Sequence, residues 1–264
     1  MQISSVVAHS DTHDRGEAQP GPVLSIIIPC YNERGNVEPL VRAVEQAVTH
    51  PHWELIFVDD NSPDGTIGEI WRLAQLDSRV RGILRVGRRG LSSAVIEGVL
   101  SSSAPIVAVM DGDMQHDERL LEQMFDAIHN QGYDVAIGSR HVEGGDNSGL
   151  ANAWRLFLSN TGIRIAQCFL SVRVSDPMSG FFAVRRDLFV NSVANLSGTG
   201  FKILLDMLMA QKTTPRVIEL PFVFRSRHEG ESKMDSKVLV QFGQMILQHM
   251  LKKKKRSLSA VSSS

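Results

Sequence analysis

Apolar runs alternate with amphipathic segments along the first half of the chain. Short continuous apolar runs are typical of strands buried on both faces, and apolar residues three and four positions apart are typical of helices. The pattern predicts strands at Leu24–Pro29, Trp53–Val58, Val80–Val86, Pro105–Met110 and Tyr133–Gly138. It predicts helices at Asn36–Val48, Asp64–Leu76, Leu91–Leu100 and Asp117–Asn130, with Asn36 and Asp64 as candidate N-caps.

The β-α-β-α order of these segments predicts an α/β fold with a mostly parallel central sheet flanked by helices. The pattern becomes less regular after Gly138. There it predicts, in chain order, a helix at Ala151–Leu170, a strand at Ser179–Val184, a helix near Phe201–Ala210, a strand at Arg216–Val223 and a C-terminal amphipathic helix at Ser236–Leu251.

The same pattern divides the chain into four parts. Residues 1–22 are polar, so we expect a disordered tail there rather than a signal peptide. Residues 23–235 form the predicted globular domain, residues 236–251 the C-terminal helix, and residues 252–264 a basic, serine-rich disordered tail. No stretch approaches the roughly 18–20 apolar residues that a membrane span needs.

The predicted C-terminal helix carries an apolar stripe that ends beside a basic run from Lys252 to Arg256. The stripe consists of Val238, Leu239, Phe242, Met245, Ile246 and Met250. An apolar face next to several cations is typical of an interfacial anchor to anionic lipid. A core-packing helix with a solvated basic tail explains the pattern equally well, and recruitment by a membrane partner is a third alternative.

Composition adds three constraints. With 264 residues, 42% of them hydrophobic and 22% charged, the chain has the size and composition of one ordinary globular domain. The net charge of −1 does not indicate nucleic-acid binding. The two cysteines, Cys30 and Cys168, lie far apart, which predicts neither a zinc site nor a disulfide and fits a reducing compartment.

Two carboxylates, Asp111 and Asp113, follow the fourth predicted strand directly. In open α/β sheets, ligands bind at the carboxyl ends of the strands. A hard divalent cation such as Mg²⁺ or Mn²⁺, carrying a diphosphate, would satisfy two carboxylates at that edge. An acidic turn without a ligand is the alternative. His116 is a further metal-ligand candidate, although a single histidine at a helix start is more often structural.

Polar segments also follow the first two predicted strands. Tyr31 and Glu33 follow the first strand, and Asp59 and Asp60 end the second. A tyrosine ring can stack on a base, and carboxylates can accept hydrogen bonds from a ribose or a base. Simple turn chemistry is the alternative for each segment alone. The chain has neither GxGxxG nor GxxxxGK[ST], so a metal would hold the phosphates of a bound nucleotide.

These segments together resemble the family 2 glycosyltransferases of the GT-A fold, and within them the dolichyl- or polyprenyl-phosphate mannosyltransferase group. The resemblance extends from about Leu24 to Leu251. It is carried by Pro29–Glu33, Val58–Thr66, Gly90–Ala94, Met110–His116, Gly138–Arg140, Asp176–Phe182, Gly200–Leu204 and Gly230–Lys233. Gly112 stands where the group usually has alanine, which is expected to change little.

The resemblance implies a role for each group of residues. Those expected to bind the base and ribose of the donor are Pro29, Tyr31, Glu33, Asp59 and Asp60. Those expected to position Mg²⁺ or Mn²⁺ and the diphosphate are Asp111, Asp113 and Gln115. Those expected to contact the acceptor phosphate or the sugar are Arg140, Arg155 and Ser159, with Arg227 and Lys233 closing over the phosphates. Of these, Asp113, Arg140 and Arg155 are the expected catalytic residues.

The implied activity is metal-dependent, inverting transfer of a hexose, mannose from GDP-mannose, to a polyprenyl or dolichyl phosphate. The expected partners are the nucleotide sugar, the lipid phosphate and either a membrane surface or a membrane partner protein, with no nucleic acid. The expected location is cytoplasmic, peripheral at the cytoplasmic face of the membrane. Alternatives are a UDP-glucose-dependent polyprenyl-phosphate glucosyltransferase, a family 2 transferase acting on a saccharide hydroxyl, and a non-catalytic nucleotide-sugar sensor.

Overall fold

A computed structural model describes residues 21–142, 167, 170–198, 200 and 202–222. The strands are β1 Leu24–Cys30, β2 Trp53–Asp59, β3 Val80–Leu84, β4 Ile106–Val109, β5 Val135–Ser139, β6 Phe182–Arg185 and β7 Val217–Pro221. The α-helices are α1 Arg34–Ala47, α2 Thr66–Ala74, α3 Leu91–Ser101, α4 Leu120–His129, α5 Arg186–Ser192 and α6 Ile203–Ala210.

The seven strands form one mixed sheet in the order β3-β2-β1-β4-β6-β5-β7. Strand β6 is antiparallel to its neighbours β4 and β5, and the other pairs are parallel. The predicted α/β fold with a mostly parallel sheet is therefore confirmed. The carboxyl ends of β1, β2 and β4 lie side by side at one edge, and the first residue of β6 lies at that same edge.

Two hydrophobic cores cover the two faces of the sheet. Helices α1, α2 and α4 contribute to the first core, with Leu40, Ile70 and Leu121 among its buried residues. Helices α3, α5 and α6 contribute to the second, with Val95 and Phe189 among its buried residues. Because both faces are covered, the inner strands are mostly apolar, which explains why the sequence pattern identifies them.

The ends of two helices differ from the sequence expectation. Helix α1 begins at Arg34, and Glu33 rather than Asn36 occupies the N-cap position. The amide Nδ2 of Asn36 instead donates to Glu33 Oε2 over 2.7 Å. The N-cap of α2 is Gly65, at φ +87°, rather than Asp64. Asp64 lies one position before the N-cap, and its carboxylate accepts a hydrogen bond from the Thr66 N–H.

One helix of the structure was not predicted, and several predicted segments lie largely outside the described residues. Helix α5 was not predicted, because its seven residues include a short apolar run that is too brief to show a helical period. The predicted helix at Ala151–Leu170 lies largely outside the described residues, and the terminal tails and the C-terminal helix at 236–251 lie wholly or almost wholly outside them. None of the helices that the structure describes is long and apolar enough to cross a bilayer.

Glycine at position 98 allows α3 to pack closely on the sheet. A Cβ atom there would lie 2.4 Å from Ile27 Cγ2 and 3.1 Å from Val58 Cγ2. Both neighbours are β-branched and fully buried, so neither methyl group can move aside easily.

We expect Gly98→Ala to lower the free energy of unfolding by about 1–3 kcal/mol, because overpacking outweighs the gain in helix propensity. Gly68→Ala in α2 is the matched control, since nothing lies within 4 Å of the added methyl group. That change is expected to raise the free energy of unfolding by roughly 0.5–1 kcal/mol. Urea unfolding measures both values, and equal effects would contradict the close packing of α3.

Candidate functional site

Carboxylates gather where the central strands end. Asp59 closes β2, Asp111 and Asp113 follow β4, and Glu33 follows β1. The segment before β6 enters the same edge, because β6 runs antiparallel to its neighbours. That segment carries Asp176. The fold therefore brings together the acidic strand ends that the sequence analysis selected.

Asp59 is fully buried and is occupied by hydrogen bonds within the protein. Its Oδ2 accepts the Ser62 N–H over 3.0 Å, and its Oδ1 accepts the Ser62 hydroxyl. Ser62 Oγ in turn accepts the N–H of Asn32, which has the left-handed φ of +60°. Asp59 thus joins the two turns that follow β1 and β2, whereas a direct contact with a ligand would require it to become exposed.

Asp60 is also buried, with 7% of its surface exposed. Its Oδ1 accepts a hydrogen bond from Arg85 Nη1 over 2.6 Å, and its Oδ2 accepts one from the Gly90 N–H over 2.7 Å. Each carboxylate oxygen has two lone pairs, so Asp60 retains acceptor capacity after both bonds. The predicted role in base or ribose binding is compatible with this arrangement.

The other predicted donor residues line the end of β1. Pro29 and Tyr31 are half-buried, and the guanidinium of Arg89 lies 4.5 Å from the centre of the Tyr31 ring. Glu33 is half-buried, and its N–H donates to Thr66 Oγ1 over 3.0 Å. These residues lie at the end of β1 or in the turn that follows it.

The Asp111–Gln115 turn has one exposed and one buried carboxylate. The side chain of Asp111 is 37% exposed, whereas Asp113 is 6% exposed as a residue. Asp113 Oδ1 accepts the N–H of Gln115 over 3.2 Å, and Met114 between them has a φ of +63°. The turn therefore holds two carboxylates and a buried amide residue at fixed positions.

His116 stabilises this turn from inside the protein. Its Nδ1 accepts the Asp111 N–H over 3.2 Å, and its ring stacks on Phe181 with centres 4.9 Å apart. Burial lowers the pKa of His116 to about 4, so the ring is neutral at pH 7. Because Nδ1 already accepts from the backbone, the structural interpretation of His116 is favoured over metal binding.

The chemistry of the turn fits a hard divalent cation. Among the residues that the structure describes, no three His, Cys, Asp or Glu side chains form a cluster that could hold a metal ion by themselves. Two carboxylates and an amide oxygen suit Mg²⁺ or Mn²⁺, whose remaining positions are commonly taken by phosphates and water. A Cβ on Gly180 would lie 3.0 Å from Asp111 Oδ2, so glycine keeps the space beside this carboxylate clear.

Arg140 faces this turn from the end of β5. Its Nε and Nη2 donate to the two oxygens of Asp176 over 2.9 and 3.2 Å. Asp176 is fully buried, and its N–H donates to Glu219 Oε1 over 3.0 Å. This bidentate pair fixes the plane of the guanidinium at the sheet edge.

Lys202 is a cation near the candidate site to which the sequence analysis gave no role. It occupies the N-cap position of α6. Its pKa is lowered chiefly by burial and next by the charge of Arg140, while Asp176 and Asp111 act in the opposite direction. The sequence signal was its place inside the Gly200–Leu204 motif, where no role was assigned to it.

The remaining predicted site residues, Arg155, Ser159, Arg227 and Lys233, lie outside the described residues.

Residues 25–191 match the family profile described as "Glycosyl transferase family 2". The chain belongs to this family. Together with the sheet topology, this membership confirms the expected glycosyltransferase class.

Curated relatives of this family 2 glycosyltransferase are mannosyltransferases by name. It is 40% identical over 224 residues to a dolichol-phosphate mannosyltransferase of Pyrococcus furiosus. The aligned residues make up 83% of this chain and 61% of the relative. It is 35% identical over 233 residues to the Saccharomyces cerevisiae enzyme of the same name, covering 84% of this chain and 85% of the relative. It is 33% identical over 230 residues to polyprenol monophosphomannose synthase of Mycolicibacterium smegmatis, covering 84% of each chain.

Solved structures share the fold at low identity. The mannosyltransferase PcManGT of Pyrobaculum calidifontis, in complex with GDP-Man and Mn²⁺, has a TM-score of 0.60 and 17% identity, covering 90% of this chain and 65% of that chain. Glucosyl-3-phosphoglycerate synthase of Mycobacterium tuberculosis, with Mn²⁺ and UDP-glucose, has a TM-score of 0.59 and 19% identity, covering 87% and 79%. The expected GT-A fold is thereby confirmed.

We expect Gly180→Ala to weaken Mn²⁺-dependent nucleotide binding roughly tenfold, because the methyl group displaces the Asp111 carboxylate. Gly112→Ala is the matched control, since its Cβ would make ordinary contacts of 3.4–3.6 Å with Ile28, Cys30 and Glu33. Calorimetric titration with GDP measures both variants in the presence of Mn²⁺. A similar loss in both would show that the space beside Asp111 is unimportant.

We expect Lys202→Met to stabilise the fold while lowering turnover. The lowered pKa means that the folded state disfavours the charged lysine, so its removal is expected to raise the free energy of unfolding. Each kcal/mol gained raises Tm by roughly 2–4 °C. The gain is present at neutral pH and shrinks as the pH rises towards the ordinary lysine pKa. Thermal unfolding between pH 7 and pH 10 measures it, and a lower Tm at pH 7 would contradict a desolvated cation.

Proposed function

We propose that this chain is an inverting, metal-dependent hexosyltransferase that moves mannose from GDP-mannose to a polyprenyl phosphate. The observation that carries the proposal is the charge arrangement at the sheet edge. The Asp111–Asp113 turn lies within electrostatic range of the Arg140–Asp176 pair and Lys202. Carboxylates that suit a metal-bound diphosphate thus lie beside cations that suit a second phosphate.

The names of the relatives support this choice of donor and acceptor. Three relatives at 33–40% identity are named as dolichol-phosphate or polyprenol-phosphate mannose enzymes. A structural neighbour was solved with GDP-Man and Mn²⁺. Because the chain spans 61% of the length of the archaeal relative, the activity of that whole protein is carried over here only as a proposal.

The proposed reaction exchanges one phosphate for another at the anomeric carbon. An oxygen of the lipid phosphate forms the new bond, the bond to the donor β-phosphate breaks, and its electron pair leaves with GDP. Attack opposite the leaving group inverts the configuration. The nucleophile is already an anion, so the reaction needs no general base, unlike transfer to a sugar hydroxyl.

The residues of the chain supply positions and charges for this reaction. Asp111, Asp113 and Gln115 would hold Mg²⁺ or Mn²⁺, which when bound neutralises charge on the leaving diphosphate. Arg140, fixed by Asp176, would orient the acceptor phosphate, and Lys202 would add a second positive charge. Tyr31 and Asp60 would meet the base of the donor.

The acceptor places the proposed reaction at a membrane surface. We infer a cytoplasmic protein that is peripheral at the cytoplasmic face of the membrane, either through its own C-terminal basic segment or through a membrane partner. Flotation with vesicles that contain anionic lipid tests this location. Loss of binding after removal of residues 236–264 supports the first route, whereas binding that persists contradicts it and indicates another membrane-binding surface. Failure of the full-length protein to bind the vesicles would leave the partner as the explanation.

A radiolabelled transfer assay tests the activity. Purified full-length protein with Mn²⁺ or Mg²⁺ and a polyprenyl phosphate is offered GDP-mannose and UDP-glucose in parallel, and label is counted in the organic phase. Label from GDP-mannose alone supports the proposal. Label from UDP-glucose alone would identify glucose rather than mannose as the transferred sugar. Nucleotide binding without lipid label favours a saccharide acceptor, a missing partner or a sensor.

We expect Asp113→Asn to lower turnover by roughly a hundredfold or more, because it removes one negative charge from the proposed metal site. Asp126→Asn is the control, since that carboxylate accepts from Asn130 and Gln131 at the C-terminal end of α4. Initial rates with GDP-mannose measure both variants. Full turnover of the Asp113 variant would sink the proposed mechanism.

A further inference from the structure

Arg85 is among the largest fully buried side chains of the described residues, with 1% of its surface exposed. It follows β3 directly, where a charged residue would ordinarily reach into solvent. Burying a guanidinium is unfavourable unless hydrogen bonds and opposite charges compensate it. An arginine held at this depth therefore indicates a requirement for its particular geometry.

The contacts of Arg85 define one cluster, which consists of Arg85, Asp60, Gly90, Ser93 and Glu97. Nη1 donates to Asp60 Oδ1 over 2.6 Å and to the Gly90 carbonyl over 3.2 Å. Nη2 donates to Ser93 Oγ over 2.6 Å. Nε lies 3.2 Å from Glu97 Oε2, as an ion pair without hydrogen-bond alignment.

The Arg85 cluster forms hydrogen bonds with both the carbonyl and the N–H of Gly90. Arg85 binds the Gly90 carbonyl, and Asp60 Oδ2 accepts the Gly90 N–H over 2.7 Å. Gly90 is the N-cap of α3 and has a φ of +138°, which a residue with a side chain rarely adopts. The cluster thus fixes the end of β2 and the start of α3 to one another.

Two features of the candidate site depend on that start of α3. Arg89, the residue before Gly90, places its guanidinium 4.5 Å from the centre of the Tyr31 ring. Ser92, two residues after Gly90, donates from its N–H and its hydroxyl to the Gly200 carbonyl over 3.3 and 2.8 Å. The donor side of the site is therefore connected to the segment that carries Lys202.

We propose that Arg85 is a positioning residue for the donor nucleotide. By holding Asp60 and Gly90 together, it sets the carboxylate that meets the base and fixes the Arg89–Tyr31 stack as one wall of the base pocket. A planar base suits that wall, since arginine and tyrosine both stack on aromatic rings. This inference rests on the proposed function, which supplies a nucleotide as the donor.

Arg85→Lys tests the inference. Lysine keeps the charge but cannot reach Asp60, Gly90 and Ser93 at once, because it lacks the planar fork of arginine. Arg81→Lys in the preceding strand β3 is the control, since Arg81 binds Glu54 and the Ser101 carbonyl instead. Calorimetric titration with GDP and with UDP, in the presence of Mn²⁺, gives the affinity of each full-length variant, and thermal unfolding gives Tm.

We expect Arg85→Lys to weaken GDP binding roughly tenfold, the loss that follows when one charge-assisted hydrogen bond is misplaced. The control variant is expected to bind GDP as the wild type does. In the transfer assay, the KM for the nucleotide sugar should rise in Arg85→Lys while the KM for polyprenyl phosphate stays constant. A purely structural role would lower Tm without separating the two KM values.

A milder variant keeps the inference testable if Arg85→Lys does not fold. Ser93→Ala removes the hydroxyl that accepts the hydrogen bond from Arg85 Nη2. It is expected to weaken GDP binding by a factor of roughly two to five. Wild-type affinity in the folded variants would overturn the inference and leave the proposed function intact. Failure of the wild type to bind either nucleotide would overturn the proposed function, and this inference with it.

Discussion

Buried carboxylates at one edge of the sheet are the constraint on which the candidate site depends. Parallel strands that end side by side bring the residues after β1, β2 and β4 together, whatever their charges. Asp59, Asp60 and Asp113 are 0, 7 and 6% exposed, so each loses most of its hydration. Like charges held close together repel one another. Partners must therefore be built in beside them.

Three buried carboxylates, Asp59, Asp60 and Asp176, have partners of different kinds, and the difference has chemical consequences. Ser62 gives Asp59 two neutral donors, so the negative charge of Asp59 is not cancelled. Asp60 is paired with Arg85, and Asp176 with Arg140, so at these two positions the charge is balanced by a guanidinium. Asp111 keeps 37% of its side chain exposed. The negative charge available to a bound cation therefore lies at the Asp111–Asp113 turn rather than deeper in the protein.

The sequence allowed many of the elements, and the sheet edge at which the candidate side chains gather, to be predicted. The inner strands are mostly apolar because helices cover both faces of the sheet, and an apolar run identifies such strands. The acidic residues at the ends of these runs then fall on one edge by topology alone. Asp111 and Asp113 were selected as candidates by this reasoning. Antiparallel β6 and the seven-residue α5 were harder to predict, because neither orientation nor a short helix leaves a periodic signal.

What could not be predicted was the choice of partner for each charge. The hydrogen bond from Arg85 to Asp60 joins residues 25 apart in the chain, and the one from Arg140 to Asp176 joins residues 36 apart. Sequence periodicity places a residue on one side of an element, but it does not say which distant atoms will meet it. Asp59 and Asp60 are adjacent and chemically identical, and yet one joins two turns through Ser62 while the other anchors the start of α3. Arg85 and Lys202 resemble ordinary charges at the end of a strand and the start of a helix, and only tertiary packing brings them beside the candidate site.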